Sequence, residues 1–397
     1  MRTTNTKVIY LFTILIICIF LVAISSAQQA KPTHLKIGAI EPLTGFPVGV
    51  PWGRGYELFF DKINEQGGIN IGGQKYLVDY LLEDDQLNPE TSATVAKKLV
   101  YQDKATYVFG SILDSSGEAI YNVTAPQKAL QLVWVNIPKH PADVRKDKPL
   151  CVRPNISVDA PQAADYKYLV KNYPSVKTIV IVAPDIYPSN MFSVVKSLAT
   201  NNGMVVIDVQ LWPMTTTDFI PIYSKVLAKK PDAIHAFLSG FAAQQIRAAR
   251  QLGFKGPIIS DAPLGADVII AGAGPQASSD IICNGVDTSH PTDAMQEVMK
   301  RWDVKYREPF VSDALMAWDG AWVLMQAMQK AQSVDPEEVM ATMESMTQPG
   351  SLQTVFGPAH MGGLNRFGVN RVLIRPIPII RIMGGKAQVI EYVTVNE

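Results

Sequence analysis

The chain has 397 residues, room for two domains of ordinary size; 47% are hydrophobic and 18% charged, which excludes a disordered or collagen-like chain. Formal net charge is zero, and removing residues 1–27 takes Arg2 and Lys7 and no acid, leaving −2. Nothing in that balance gives an electrostatic footprint for nucleic acid.

Residues 1–27 read as an export signal peptide. Arg2 and Lys7 form its positive end, Val8 to Ile24 is nearly all apolar, and Ser25-Ser26-Ala27 supplies small residues for cleavage. An uncleaved anchor is the competing reading, since the stretch is barely long enough to span a bilayer. Small residues directly after it, with no basic stop, favour cleavage near Ala27 and a periplasmic mature chain. Cys18 follows Leu-Ile-Ile and lacks a lipidation setting. The mature chain keeps Cys151 and Cys283, too few for a disulfide framework; they can pair, but two buried thiols fit better.

From Leu35 onward strands and helices alternate. LKIGAI is a short apolar run. A Gly- and Pro-rich loop leads to Trp52 and a helix from about Gly53 to Gln66, which buries Tyr56, Phe59, Phe60 and Ile63 at helical spacing. KYLVDYLLED is the next strand. Asn88-Pro89 opens a second helix, TYVFG follows, a third helix starts near Ser116, and LQLVWVN comes after it. Residues 137–161 interrupt the alternation with prolines and charges. It restarts with KTIVIVAPD, a helix over about 189–202, MVVIDVQLW, a helix over 218–230, AIHAFLSG, a helix to Leu252, and PIISD. After SDIICNGVD come three helices, near 292–307, 311–331 and 335–346, and a β tail with Gly-Gly-Lys as its hairpin turn. Strand, helix, strand at this pace predicts α/β architecture: Rossmann-like lobes of parallel sheet flanked by helices.

Enzyme chemistry has little support. GAGPQA at 272–277 fits a dinucleotide pattern, but Pro275 and its small neighbours suit a surface loop, and GINIGGQK misses a phosphate loop. The five histidines have no ligand-like spacing, so no metal site is expected, and no cofactor. No Gly-x-Ser-x-Gly elbow occurs. Glu83-Asp84-Asp85 reads as a solvated strand end.

The segments IGAIEPLTG, INEQGGI, EDDQLNPETSATVAKKLV, FGSILDSSGEA, DFIPIYSKVLAKKPDAI and AARQLGFKGPIIS, in this order, resemble the type I periplasmic solute-binding proteins of ABC importers, leucine/isoleucine/valine-binding branch. The resemblance implies two lobes joined by three hinge crossovers, a ligand cleft between them and closure on binding. It implies residues 28–150 plus 286–354 as lobe 1, and 151–285 plus 355–397 as lobe 2. The partners it implies are a small-molecule ligand and a membrane permease, with the receptor a monomer. A ligand-sensing receptor of the same fold is the alternative.

The resemblance also places site residues. Trp52 matches an aromatic lining the pocket, beside a helix N-terminus suited to an anion or carbonyl. Ser115, Ser116 and Gly117 match a serine loop that holds the ligand carboxylate, with the facing serine open by one position; Asp114 is unexpected there. Asn136 and Lys139, with His140, stand near the cleft edge in VNIPKHP. Tyr187 matches an aromatic of the second lobe, followed by Pro188 where glycine is usual. Ser239 and Phe241 are further candidates, core packing being an equal reading for Phe241. Leu264 takes the place where amino-acid binders tend to carry Glu for the ammonium, although Asp261 or Asp114 can supply a carboxylate from another direction. The expected ligand is therefore an organic acid or amide with an apolar or aromatic body.

Overall fold

The computed structural model describes residues 32–44, 49–135, 140–156, 159–185, 187, 189–237, 241–260, 266–284 and 290–395. In chain order the first lobe begins with β1 (Thr33–Glu41), α1 (Val50–Glu65), β2 (Ile69–Ile71), β3 (Gln74–Asp84), α2 (Pro89–Lys97), β4 (Tyr107–Gly110), α3 (Asp114–Thr124), β5 (Leu130–Leu132) and β6 (Cys151–Val152). The second follows with α4 (Ala160–Asn172), β7 (Thr178–Pro184), α5 (Ser189–Asn201), β8 (Val205–Trp212), α6 (Ile220–Ala228), β9 (Ala233–Ala236), α7 (Ala242–Gln251), β10 (Ile258–Ser260), α8 (Ala266–Ala273) and β11 (Ile281–Cys283). The chain then returns through α9 (Asp293–Tyr306), α10 (Asp313–Ala331), α11 (Pro336–Ser345), β12 (Leu352–Thr354), β13 (Gly357–Gly362), α12 (Leu364–Phe367) and β14 (Val372–Ile374). It finishes with β15 (Ile377–Met383) and β16 (Lys386–Val393).

Two sheets result. The first has the order β2-β3-β1-β4-β5-β6, parallel except for the β2/β3 hairpin. The second has the order β16-β15-β11-β10-β9-β7-β8, with only β15 and β16 antiparallel to their neighbours. A small antiparallel sheet, β12-β13-β14, packs on the first lobe through Leu352, Ala359, Met361 and Leu373. The chain passes between the two large sheets three times: after β6, after β11 and after β14. This is the two-lobe, doubly wound architecture expected from the alternation.

Apolar residues on both faces of the parallel strands explain the layers. On β1, Leu35, Ile37 and Ala39 meet α1 and α10, while Ile40 meets Leu99 and Ile120 on the opposite side. α1 and α10 run parallel and very close at Gly55, where a Cβ would lie 2.4 Å from the Ala314 carbonyl oxygen and 2.7 Å from the Ala317 Cβ. Only glycine allows that approach, and it brings Phe59 edge-on to Trp318 at 5.1 Å.

Several local readings change. α1 starts at Val50, three residues before the expected Gly53, because Pro51 suits a first turn and Gly49 serves as N-cap. GINIGGQK is the turn of the β2/β3 hairpin, and GAGPQA is the end of α8 and the turn beyond it. Cys151 and Cys283 are buried in different sheets and form no disulfide with each other. Among the described residues no helix is long and apolar enough to cross a membrane.

Candidate functional site

In a doubly wound sheet, ligands bind beyond the carboxyl ends of the strands where the strand order reverses. In the first sheet β1 lies between β3 and β4, so that point is the end of β1 and β4. In the second, β7 lies between β8 and β9. Trp52 follows β1, Ser115–Gly117 follow β4 and Tyr187 follows β7, so the described candidates stand at these two points. Asn136, Lys139, Ser239, Asp261 and Leu264 lie outside the described residues.

The first-lobe wall is tightly held. Asp84, ending β3, accepts from the Leu43 and Gln86 amides at 2.9 Å each and from the Thr44 hydroxyl. Desolvation pushes its carboxyl up, but these hydrogen bonds prevail and hold it below the ordinary range. Asp85 is fully buried and accepts from the Leu87 amide at 2.9 Å and the Ser92 hydroxyl at 2.8 Å. Glu83 pairs with Lys98. The acidic cluster is thus a clasp for the loops around it: Glu83 and Asp84 remain solvent-accessible, as a strand end is expected to be, and only Asp85 departs from that reading.

Trp52 sits in the first turn of α1 and is only 3% exposed. Its ring tilts at 60° against Trp134, with centroids 4.6 Å apart, and its side chain hydrogen-bonds Asp313 at the start of α10. Desolvation pushes the Asp313 carboxyl up to about 6, against the opposing hydrogen bonds from its own backbone N–H and from Trp52. Trp134, beyond β5, is the more exposed ring of the pair. In the sequence it stands within LQLVWVN, where the signal for it is an aromatic two residues past a strand end.

α3 opens at Asp114 with Leu113 as N-cap and no side-chain capping bond. Ser115 is exposed there, whereas Ser116 is buried with its hydroxyl 2.7 Å from that of Ser92. Gly117 packs where a Cβ would be 3.0 Å from Val133, and its carbonyl accepts from the Gln131 amide at 2.8 Å. Of the three, Ser115 is the one open to a solute. Glu41, ending β1, is fully buried; desolvation first and the nearby Asp85 second push its carboxyl well above the ordinary range, against a hydrogen bond from the Ile112 backbone N–H. Sequence reasoning missed it inside IGAIEPLTG.

The second-lobe wall is aromatic. Tyr187, half-buried, meets Phe237 edge-on at 5.8 Å; Phe237 lies 4.4 Å from the His235 ring, and His235 Nδ1 is 2.8 Å from the Tyr166 hydroxyl. Phe241 packs instead on Trp212 and Phe219, which settles it as core. The Ser260 hydroxyl, at the end of β10, is buried without a hydrogen-bond partner. A separate cavity of about 440 Å³ beside the second and third crossings is lined by Thr292, Phe356, Pro376 and Tyr392 among others, and by none of the candidates above. Among the described residues no group of three or more His, Cys, Asp or Glu is placed to hold a metal ion.

Comparison with known proteins gives a consistent result. The substrate-binding protein LivJ of the branched-chain amino acid transporter of Streptococcus pneumoniae, solved with isoleucine, aligns at TM-score 0.71 and 17% identity, covering 91% of this chain and 100% of that one. A solute-binding protein of an ABC transporter from R. palustris, solved with 4-hydroxybenzoate, aligns at 0.73 and 18%, covering 92% and 98%. Another from R. palustris, solved with benzoate, aligns at 0.68 and 19%, covering 92% and 98%. No curated protein matches the sequence. The family model described as periplasmic binding protein matches residues 34–386, nearly the whole span of both lobes. The chain therefore belongs to the periplasmic binding protein family, and the solved structures it resembles are solute-binding proteins of ABC transporters rather than enzymes.

Proposed function

We propose that the protein captures a small organic acid or amide with an aromatic or apolar body between its lobes and delivers it to an ABC permease. The observation that carries this reading is the pairing of two unlike walls at the two strand-order reversals. The first lobe offers the uncapped amides of α3, the Ser115 hydroxyl and the Trp134 face, groups suited to a carboxylate or carbonyl attached to a ring. The second offers Tyr187 over Phe237. Structural relatives with benzoate or 4-hydroxybenzoate bound support the aromatic acid; the relative with isoleucine supports the amino acid as the competing solute.

In this reading the lobes divide by sheet and core rather than at residues 150, 286 and 354. β6 belongs to the first sheet, and Val355 to Leu373 pack into the first core, so lobe 1 takes residues 33–152 and about 293–373. The three crossings, which leave the first sheet after Val152, the second after Cys283 and the small sheet after Ile374, act as the hinge. Family membership implies a location outside the cytoplasm, consistent with residues 1–27 acting as a cleaved signal. The receptor acts as a monomer.

Mass spectrometry of small molecules released on denaturing the purified protein identifies the solute class. A calorimetric panel then compares benzoate, 4-hydroxybenzoate and the branched-chain amino acids with their deaminated acids and amides. Micromolar binding confined to the amino acids overturns the organic-acid reading. Small-angle scattering is expected to show a smaller radius of gyration with solute, and saturation at a hundred times Kd to add about 2.7 kcal/mol of stability.

A further inference from the structure

Asp159 stands at the start of the second lobe and is bonded to the first. Ile156 before it and Ala160 after it pack in the core of the second sheet, and Asp159 itself is the N-cap of α4. An aspartate in that place ordinarily turns its carboxyl to the first amides of its own helix. Here it makes no such bond. Both of its oxygens instead meet Arg366 Nη1, at 3.1 and 3.0 Å. Arg366 lies on α12, whose Phe367 packs with Val133, Val369 and Val372 of the first lobe. The pair is sheltered, with 9% of the Asp159 side chain and 20% of that of Arg366 exposed.

The two partners belong to bodies that the chain lets turn against one another. Arg153, just beyond β6, is fixed to the first lobe. Its amide donates to the Arg371 carbonyl at 2.8 Å and its carbonyl accepts from the Leu373 amide at 3.0 Å. Its guanidinium meets the Asp143 carboxylate at 2.6 Å, with both side chains buried. By Ile156 the chain is in the second core, so the first crossing turns at Pro154 and Asn155, and the Arg366–Asp159 pair spans it. The side on which it does so decides its effect. α4 runs back along the sheet to enter β7, which puts its first turn at the carboxyl ends of the second lobe's strands. Phe367 packs on Val133 and Val135, just past β5, and lies 5.5 Å from the Arg153 guanidinium, so α12 is at the carboxyl ends of the first lobe's strands. Those are the ends between which a solute binds. Opening about the crossings draws the two partners apart, and closing brings them together.

We propose that the Arg366–Asp159 pair is a latch that holds the closed lobes over a bound carboxylate solute. This rests on the reading that the solute is enclosed between the lobes; it is the same for an aromatic acid and for an amino acid. The closed form keeps both side chains short of water, where their attraction is little screened, and the unused cap leaves the Asp159 carboxylate available to a partner outside its own helix. A contact made only on closing acts on release. It slows the escape of solute and leaves capture, which meets the open form, nearly unchanged.

Calorimetry and stopped-flow binding on the full mature chain, with benzoate and isoleucine as probes, test the latch. Arg366→Gln and Asp159→Asn are each expected to weaken the probe that binds about tenfold, through faster release, with the association rate within about twofold of the wild type. The double variant is expected to be no weaker than either single one, since each already breaks the pair. Unchanged affinity in both single variants, a loss carried by association, or losses that add in the double variant overturn the proposal. Spin labels on Gln127→Cys and Lys196→Cys, exposed positions of the first and second lobes, give a second readout, the native Cys151 and Cys283 being buried. A saturating probe is expected to shorten the distance between the labels, and Arg366→Gln to leave a longer-distance population at the same saturation. A shortened distance in which Arg366→Gln matches the wild type overturns the latch alone. A distance that the probe leaves unchanged overturns the enclosure of the solute and the latch with it. If isoleucine binds and benzoate does not, the aromatic-acid reading fails and isoleucine decides the latch by the same criteria. Binding of neither overturns the solute reading and the latch that rests on it.

Discussion

The two walls of the cleft are built in opposite ways. The first-lobe wall is a lattice of polar contacts, with Asp84 and Asp85 clasping loops, Ser92 bridging to Ser116 in the interior and Trp52 tied to Asp313. The second-lobe wall is a stack of rings, Tyr187 on Phe237 on His235. Hydrogen bonds fix direction and rings supply area, so the first wall is suited to orienting a solute and the second to covering it.

The comparison can be broken most severely at Phe237. Phe237→Ala removes the ring on which Tyr187, Phe192 and His235 all pack, and is expected to cost about 3–5 kcal/mol of stability in chemical denaturation. A loss under about 1 kcal/mol would mean that the second wall is not held by its rings. Next comes the tryptophan pair. Trp134→Ala is expected to weaken solute binding about thirtyfold, roughly 2 kcal/mol by calorimetry, with a smaller loss of stability. Trp52→Ala, buried and bonded to Asp313, is expected to show the reverse balance. If Trp52→Ala alone lost affinity, the pocket ring would be Trp52 after all.

A smaller effect separates two adjacent serines. Ser115→Ala is expected to lower affinity about fivefold, near 1 kcal/mol, and to leave stability within about 0.5 kcal/mol. Ser116→Ala, which empties the bond to Ser92, is expected to lower stability by about 1 kcal/mol. The smallest signal is a titration. The Asp313 carboxyl sits at about 6 in the folded chain against an ordinary 3.8, so its contribution to stability is full below about 3.8 and is lost as pH rises through about 6. Tryptophan fluorescence is expected to change with a midpoint near that value and to stay flat in Asp313→Asn and in Trp52→Ala.

The strands and most of the helices were legible from apolar runs and the residues that follow them. Side-chain direction was not. Ser115 and Ser116 differ by one helical position, about 100° of rotation, and no residue in GSILDSSG fixes that phase before α3 is packed on Val133 and Ala142. Trp52 shows the same difficulty. A start at Val50 puts its ring within the first turn and against Trp134, which a start at Gly53 does not. Glu41 was hidden because a lone acid before Pro42 reads as a loop charge, and only the sheet order reveals that it closes the central strand.

The parallel contact of α1 with α10 has a consequence for how the chain comes to be folded. Gly55 waits for Ala314, some 260 positions later in the sequence, and β11 waits likewise for β15. Neither lobe is therefore complete in any N-terminal fragment: one made without α10 leaves Phe59 without Trp318, and one made without β15 leaves the second sheet with an open edge at β11. Such long-range closure slows folding and keeps apolar surface uncovered until synthesis is nearly over. The same stitching makes the protein hard to dissect, since a cut at any crossing is expected to yield two insoluble pieces rather than two working halves.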